Sequence, residues 1–345
     1  MRRSVRWAVP AGVVAAIGLA AAAPGASADL PAKTPQEVLV LAQQGDLEAF
    51  SGTVVVRTEL GVPTALLDAA GGQGSGGPPD QGERTVRVWK DGQERQRVSV
   101  SSLMGERTLV RNGDQVWAWD SSTATATTVA LPEPDGSAQQ PPWLSEGPVD
   151  PAEAARWLLD TLGPTTAVSA GEPTVVAGRE AYELVLTPTQ PGTLVGRAAL
   201  AVDAATGAVL RVQVSAVGAG QPALDVGYTS FEPTPPPADV FAFSPPPGST
   251  VDQAQVPAAP WGGPADTSAQ DRPQVVGEGW TTVVVAPATS GAAEQAAAEL
   301  PPGVARPVAG GQVVTTALLS VLLTDDGRLL VGAVTPEVLV AAAGG

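Results

Sequence analysis

The sequence predicts an α+β fold: one curved antiparallel sheet with helices laid on a single face, followed by a small C-terminal α/β lobe. Three observations carry this. About ten short runs alternate apolar and polar residues with the period of two that marks half-buried strands. Tight-turn signals such as Asp91-Gly92, Asn112-Gly113 and Asp203 to Gly207 join them, as consecutive antiparallel strands require. Only two stretches before residue 250, at Thr34 and Asp150, carry the start signals of a helix.

The N-terminus precedes the fold. Arg2, Arg3 and Arg6 lead into an apolar run from Trp7 to Ala23, and Ala26-Ser27-Ala28 is a small-residue cleavage signal. Residues 1–28 are therefore expected to be a secretory signal peptide, with Asp29 the first mature residue; the alternative is an uncleaved membrane anchor. No cysteine follows the cleavage signal, so the mature chain has no lipid-attachment residue of the bacterial lipoprotein kind.

Thr34-Pro35-Gln36-Glu37 reads as an N-cap, a proline at the first helical position and a glutamate that completes a capping box. Val38, Leu39, Leu41, Ala42 and Leu47 form the stripe that this helix must bury. Phe50 to Leu60 is the first strand, with Val54, Val56, Thr58 and Leu60 on one face. The glycine-rich stretch between Ala69 and Gly82 reads as a mobile loop. Two prolines and a strand follow it, whereas a phosphate-binding loop opens a helix. The next strands run from Val86 and Val88, alternating with Arg87 and Trp89, through Val98 and Val100 to Arg107–Arg111. Trp117 and Trp119 then share one face, and Thr127 to Leu131 ends this first meander.

A Pro/Gly/Ser-rich loop, Pro132 to Pro148, leads to the second helix at Asp150-Pro151-Ala152-Glu153, which Gly163-Pro164 stops. The second meander runs from Thr174 to Phe231 and aligns Tyr182, Leu184 and Leu186, then Leu210, Val212 and Val214, then Leu224, Val226 and Tyr228. It closes at Asp239 to Gly248. These residues make a domain spanning 29–251, and the Pro/Ala/Gly-rich stretch 252–274 reads as a linker. Residues 275–345 form the small lobe, in the order β-α-β-β-α: a strand from Trp280 to Val285, an Ala-rich helix from Gly291 to Leu300, a run from Val313 to Leu323 that pairs with Leu329 to Val334, and a helix starting at Thr335.

Composition narrows the chemistry. The 345 residues include no histidine and no cysteine, which removes imidazole bases, thiolate nucleophiles and the usual zinc ligands. Lys33 and Lys90 are the only lysines, leaving little for a Ser-Lys arrangement. Asp325-Asp326 resembles a metal pair, but its place before Gly327 between two apolar runs favours a hairpin turn. Basic residues number 19 and acidic 35, a net charge of −16; loss of residues 1–28 leaves 16 against 35, or −19. Such a surface repels nucleic acid and anionic headgroups, so lipid contact is expected through an apolar cavity.

Several of these stretches together resemble one family. They are Phe50-Ser51-Gly52-Thr53-Val54, the hairpin from Val88 to Arg97, Arg111-Asn112-Gly113 leading to Trp117-Ala118-Trp119, Gly178-Arg179 with Tyr182 to Pro188, the turn Asp203 to Gly207, and Val240 to Gly248. They resemble the bacterial lipoprotein-carrier superfamily of LolA carriers, LppX-type lipoproteins and RseB/MucB regulators, over roughly residues 30–251. The resemblance implies an unclosed, strongly curved β-barrel wrapped over helices, non-catalytic and without a cofactor. It implies partners that are lipid acyl chains or lipoproteins, or, on the regulator alternative, a membrane-bound anti-sigma factor; nucleic acid is not among them. The apolar ligand cavity is expected to be lined by Val54, Val56, Val86, Val88, Trp89, Val98, Val100, Trp117, Trp119, Leu184, Leu186, Val212 and Leu224. Whether the three tryptophans line that cavity or fill a core stays open at this level.

Overall fold

The computed structural model describes residues 30–45, 47–61, 82–102, 105–130, 151, 152, 155, 165–254, 274–286 and 303–344. The expected signal peptide, the expected loops between Ala69 and Gly82 (but for its last residue) and from Pro132 to Pro148, most of the expected second helix and linker, and the expected Ala-rich helix lie outside them.

Helix α1, Pro35–Gln43, starts as its sequence dictates: the Thr34 hydroxyl accepts from the Glu37 N–H, and Glu37 accepts from the Thr34 N–H at 2.7 Å. Then come β1 (Ala49–Thr58), β2 (Gly82–Asp91), β3 (Arg95–Ser102), β4 (Gly105–Asn112), β5 (Gln115–Asp120) and β6 (Thr125–Ala130), each antiparallel to the one before it. The second meander is β7 (Thr166–Ala170), β8 (Thr174–Val176), β9 (Arg179–Pro188), β10 (Val195–Asp203), β11 (Val209–Ala216) and β12 (Leu224–Glu232). β12 pairs with β1 and joins both meanders into one sheet. Its order is β6-β5-β4-β3-β2-β1-β12-β11-β10-β9-β7, and β8 also pairs with β9. Beyond β6 lies β13, Thr250–Ala254, and the sheet curls without closing.

β13 is a departure from the sequence reading, since it runs parallel to β6 from Thr250↔Thr125 to Ala254↔Val129. The residues before it turn through a 3-10 segment, Ala238–Phe241, and cross the sheet to reach this edge. β7 was also not expected: Thr166 to Ala170 is short and has no buried side chain, so no periodicity marks it.

Residues 274–344 build a second sheet, ordered β14-β15-β19-β18-β17-β16 from β14 (Gln274–Val276), β15 (Val283–Ala286), β16 (Arg306–Val308), β17 (Gly311–Thr315), β18 (Ser320–Thr324) and β19 (Leu329–Gly332). Helix α2, Pro336–Ala343, packs Leu339 against Val283, Val313, Leu322 and Leu330. Two expectations are corrected here. Trp280 sits in a 3-10 turn, and its strand begins only at Val283. Val313 to Leu323 is not one strand but the hairpin β17–β18. Thr316 turns it, its N–H donating to the Leu319 carbonyl at 2.7 Å and its hydroxyl accepting from the Leu319 N–H at 3.1 Å. No glycine, proline or asparagine announces that turn, so the apolar run conceals it.

The second sheet is bonded to the β9–β10 end of the first. Leu194 N–H donates to Ala333 (2.9 Å), Thr335 N–H to Gly192 (2.8 Å) and Ala317 N–H to Leu60 (2.7 Å). Trp280 and Leu318 are buried in the core of the first sheet, and the indole N–H donates to the Thr166 hydroxyl at 2.7 Å.

Candidate functional site

Register decides which side chains share a face, because side chains alternate along a strand and paired residues point the same way. Val86 pairs with Val54 and Val100, and Val88 with Val98; Val98 pairs with Leu109 and Leu109 with Ala118. Across the other meander Val54 pairs with Tyr228, Val56 with Val226, Val226 with Val212, Val212 with Leu200, and Leu200 with Leu184. Ten of the thirteen cavity candidates therefore lie on one face: Val54, Val56, Val86, Val88, Val98, Val100, Leu184, Leu186, Val212 and Leu224.

Trp89, Trp117 and Trp119 lie on the other. Trp89 pairs with Arg97, Arg97 with Val110, Val110 with Trp117, and Thr108 with Trp119. One cavity against one face cannot be lined by both sets. The crossing segment covers the tryptophans instead: Phe243 packs on Trp117 and Trp119 with ring centres 5.6 and 6.4 Å away, and Phe241 is buried. The Arg97 guanidinium lies over the Trp89 ring at 5.6 Å and donates to the Val240 carbonyl at 3.0 Å. Beneath them Ser99 donates to Thr108, whose hydroxyl is committed to Glu106; both bonds are 2.9 Å.

The valine face is not uniform along the sheet. Over β9–β12, Val38 of α1 seals Leu184, Leu186, Leu200 and Val212 completely. Around β1, β2 and β12 the curl turns the sheet on itself, and Val54, Val56, Val86, Val88 and Val226 pack with Val176 and Leu210. Over β3–β5 burial falls away, since Val98, Val100, Leu109, Val116 and Ala118 are only half-buried. Among the described residues this stretch is the more accessible part of the face. Tyr228, Val226 and Leu200 complete the face and are not among the candidates, though their alternation is legible; Val38 of α1 and Leu210, at a register shift in β11, pack against it.

Ion pairs brace the edges and the outer face. Asp203, buried, accepts from Arg179 at 2.9 and 2.8 Å and from the N–H and hydroxyl of Thr206 at 2.9 and 2.6 Å. Burial alone would raise its carboxyl pKa, but the Arg179 and Thr206 bonds prevail and hold it below the usual value. Arg211 pairs with Asp225, a bond that raises the guanidinium pKa still further. Asp326 accepts from Thr324 and from Arg328, as befits a turn residue. Among the described residues no group of three acidic side chains stands close enough to hold a metal ion, and no helix is long and apolar enough to cross a membrane.

No protein-family model matches the chain, and no curated protein matches it significantly. Solved structures do. MucB of Pseudomonas aeruginosa, in complex with MucA, is similar at 17% identity over 90% of this chain and 96% of that one, with a TM-score of 0.44. The lipoprotein LppX of Mycobacterium tuberculosis is similar at 11% identity over 57% and 96%, TM-score 0.28. A LolA superfamily protein of Nitrosomonas europaea is similar at 14% identity over 61% and 99%, TM-score 0.24. All three likenesses lie below 25% identity and below a TM-score of 0.5.

Proposed function

We propose that this is an exported, non-catalytic protein that holds acyl chains, free or on a lipoprotein, against the valine face of its curled sheet. The observation that carries the reading is the drop in burial along one continuous apolar face, sealed by α1 over β9–β12 and half-open at Val98, Val100 and Leu109 over β3–β5. Each methylene moved from water onto such a surface contributes about 0.8 kcal/mol, so a chain of a dozen carbons suffices for firm binding without any polar contact. The tryptophans take no part, as they face the other way.

A second reading, an envelope sensor of the RseB kind that contacts an anti-sigma factor, is favoured by one feature. The second sheet is bonded to the first by three backbone hydrogen bonds and by Trp280, a firm platform for a protein partner. Native mass spectrometry of protein purified gently from its own host separates the two. A co-purifying acyl lipid or lipoprotein supports the carrier, and a co-purifying membrane-protein fragment supports the sensor. Protein that emerges empty and takes up no added long-chain lipid refutes acyl binding.

A further inference from the structure

The half-open part of the valine face is not purely apolar. One row of the register crosses it with Phe50, Lys90, Gln96, Arg111 and Val116, on neighbouring strands β1 to β5. Lys90 and Arg111 have the same parity as Val88 and Leu109, and no bulge interrupts β2, β3 or β4 between them. Both cations therefore stand on the apolar face, one residue pair beyond the row Val88, Val98, Leu109 and Ala118, or about 7 Å along the strands. Both are half-buried.

A cation on an apolar face needs a reason, because the chain is otherwise strongly acidic and a lysine or arginine placed there is partly dehydrated. Lys90 is engaged within the protein, and one Arg111 N–H reaches the Gly113 carbonyl at 3.3 Å. An ammonium carries three donors and a guanidinium five, so an incoming anion shares these groups rather than claiming them. Two rows along the same face, Arg107 is held by Asp120 at 3.0 Å.

We propose, on the acyl-binding reading above, that the preferred ligand is a long-chain amphiphile with one anionic headgroup, a carboxylate or phosphate. Its chain lies on Val98, Val100 and Leu109, and its headgroup sits between Lys90 and Arg111. The net charge of −16, or −19 after export, opposes an anionic bilayer, whereas two cations act at contact distance inside a Debye length of about 8 Å. The combination selects a single anionic lipid in the site over a membrane surface.

The test uses the full mature protein loaded with 1-N-phenylnaphthylamine, a neutral fluorescent probe, displaced by palmitate, hexadecyl phosphate or hexadecanol below their aggregation concentrations at low salt. Palmitate and hexadecyl phosphate should each displace the probe at about tenfold lower concentration than hexadecanol, the value of one charge-assisted contact. In K90Q/R111Q the gap should close while hexadecanol is unaffected, and R111E should favour hexadecylamine; circular dichroism checks that each variant is folded. Equal displacement by all three in the wild type, or a gap that survives K90Q/R111Q, overturns the headgroup site and leaves acyl binding standing. Failure of every ligand, hexadecanol included, overturns acyl binding itself and this inference with it.

Discussion

Replacing Arg179 by alanine tests how the second meander is held. Asp203 closes the turn between β10 and β11 with its carboxylate only 1% exposed, and Arg179 supplies two of its four hydrogen bonds. In Arg179→Ala the carboxylate keeps only the Thr206 bonds and remains a buried charge without a counter-ion. Breaking a buried pair in this way costs about 3–5 kcal/mol; partial access of water where the arginine stood, 24% exposed, brings the expectation to about 3 kcal/mol. The guanidinium also lies 5.8 Å from the Phe231 ring, a contact whose loss adds about 0.5 kcal/mol. The deficit should depend on pH with a definite sign. The folded carboxyl pKa is depressed below its unfolded value, so the pair stabilises the fold above about pH 4 and that stability drains away as pH falls through the folded pKa. Urea unfolding, followed by circular dichroism, should therefore show a large deficit at pH 7 that shrinks as the pH is lowered below about 4, because the buried carboxyl of the variant, without the guanidinium, takes up a proton more readily than that of the wild type. A double-mutant cycle with Asp203→Asn should return a coupling of about 1–3 kcal/mol. A deficit below about 1 kcal/mol at pH 7, or one that is unchanged at pH 3, would show that the pair is ornamental.

Gly207, at φ +77°, faces the Leu41 carbonyl so closely that a β-carbon would come within 2.3 Å; Gly207→Ala should lower the free energy of unfolding, measured in urea, by about 2 kcal/mol or more, and a neutral result would mean that α1 does not rest on this turn. Trp280→Ala should cost about 3–5 kcal/mol and make the second sheet more susceptible to protease, while Trp280→Phe, which loses only the bond to Thr166, should cost about 1 kcal/mol. Phe243→Ala should shift tryptophan emission to the red by uncovering Trp117 and Trp119, with acyl binding unchanged; weakened binding would place those rings in the ligand site after all. For the same reason a brominated fatty acid bound on the valine face should quench those tryptophans weakly.

What the sequence alone determined is local. The capping box at Thr34, the alternation of Val86 and Val88 with Arg87 and Trp89, and the turns at Asp91-Gly92, Asn112-Gly113 and Asp203 to Gly207 all depend on neighbours a few residues apart, and period and turn chemistry report those directly. The pairing of consecutive strands into two meanders followed from the shortness of their turns. Tertiary structure decided whatever joins distant residues. That β12 lies beside β1, that β13 runs parallel to β6, and that Trp280 and Leu318 leave their own sheet for the core of the other are long-range pairings that no local period encodes. The division of the thirteen cavity candidates lies between these cases. Alternation showed that Trp89 and Val88 point opposite ways, but it could not relate Trp117 and Trp119 to either of them. Only the register through β3 and β4 carries parity from one strand to the next, and a slip of one residue would have exchanged the two faces.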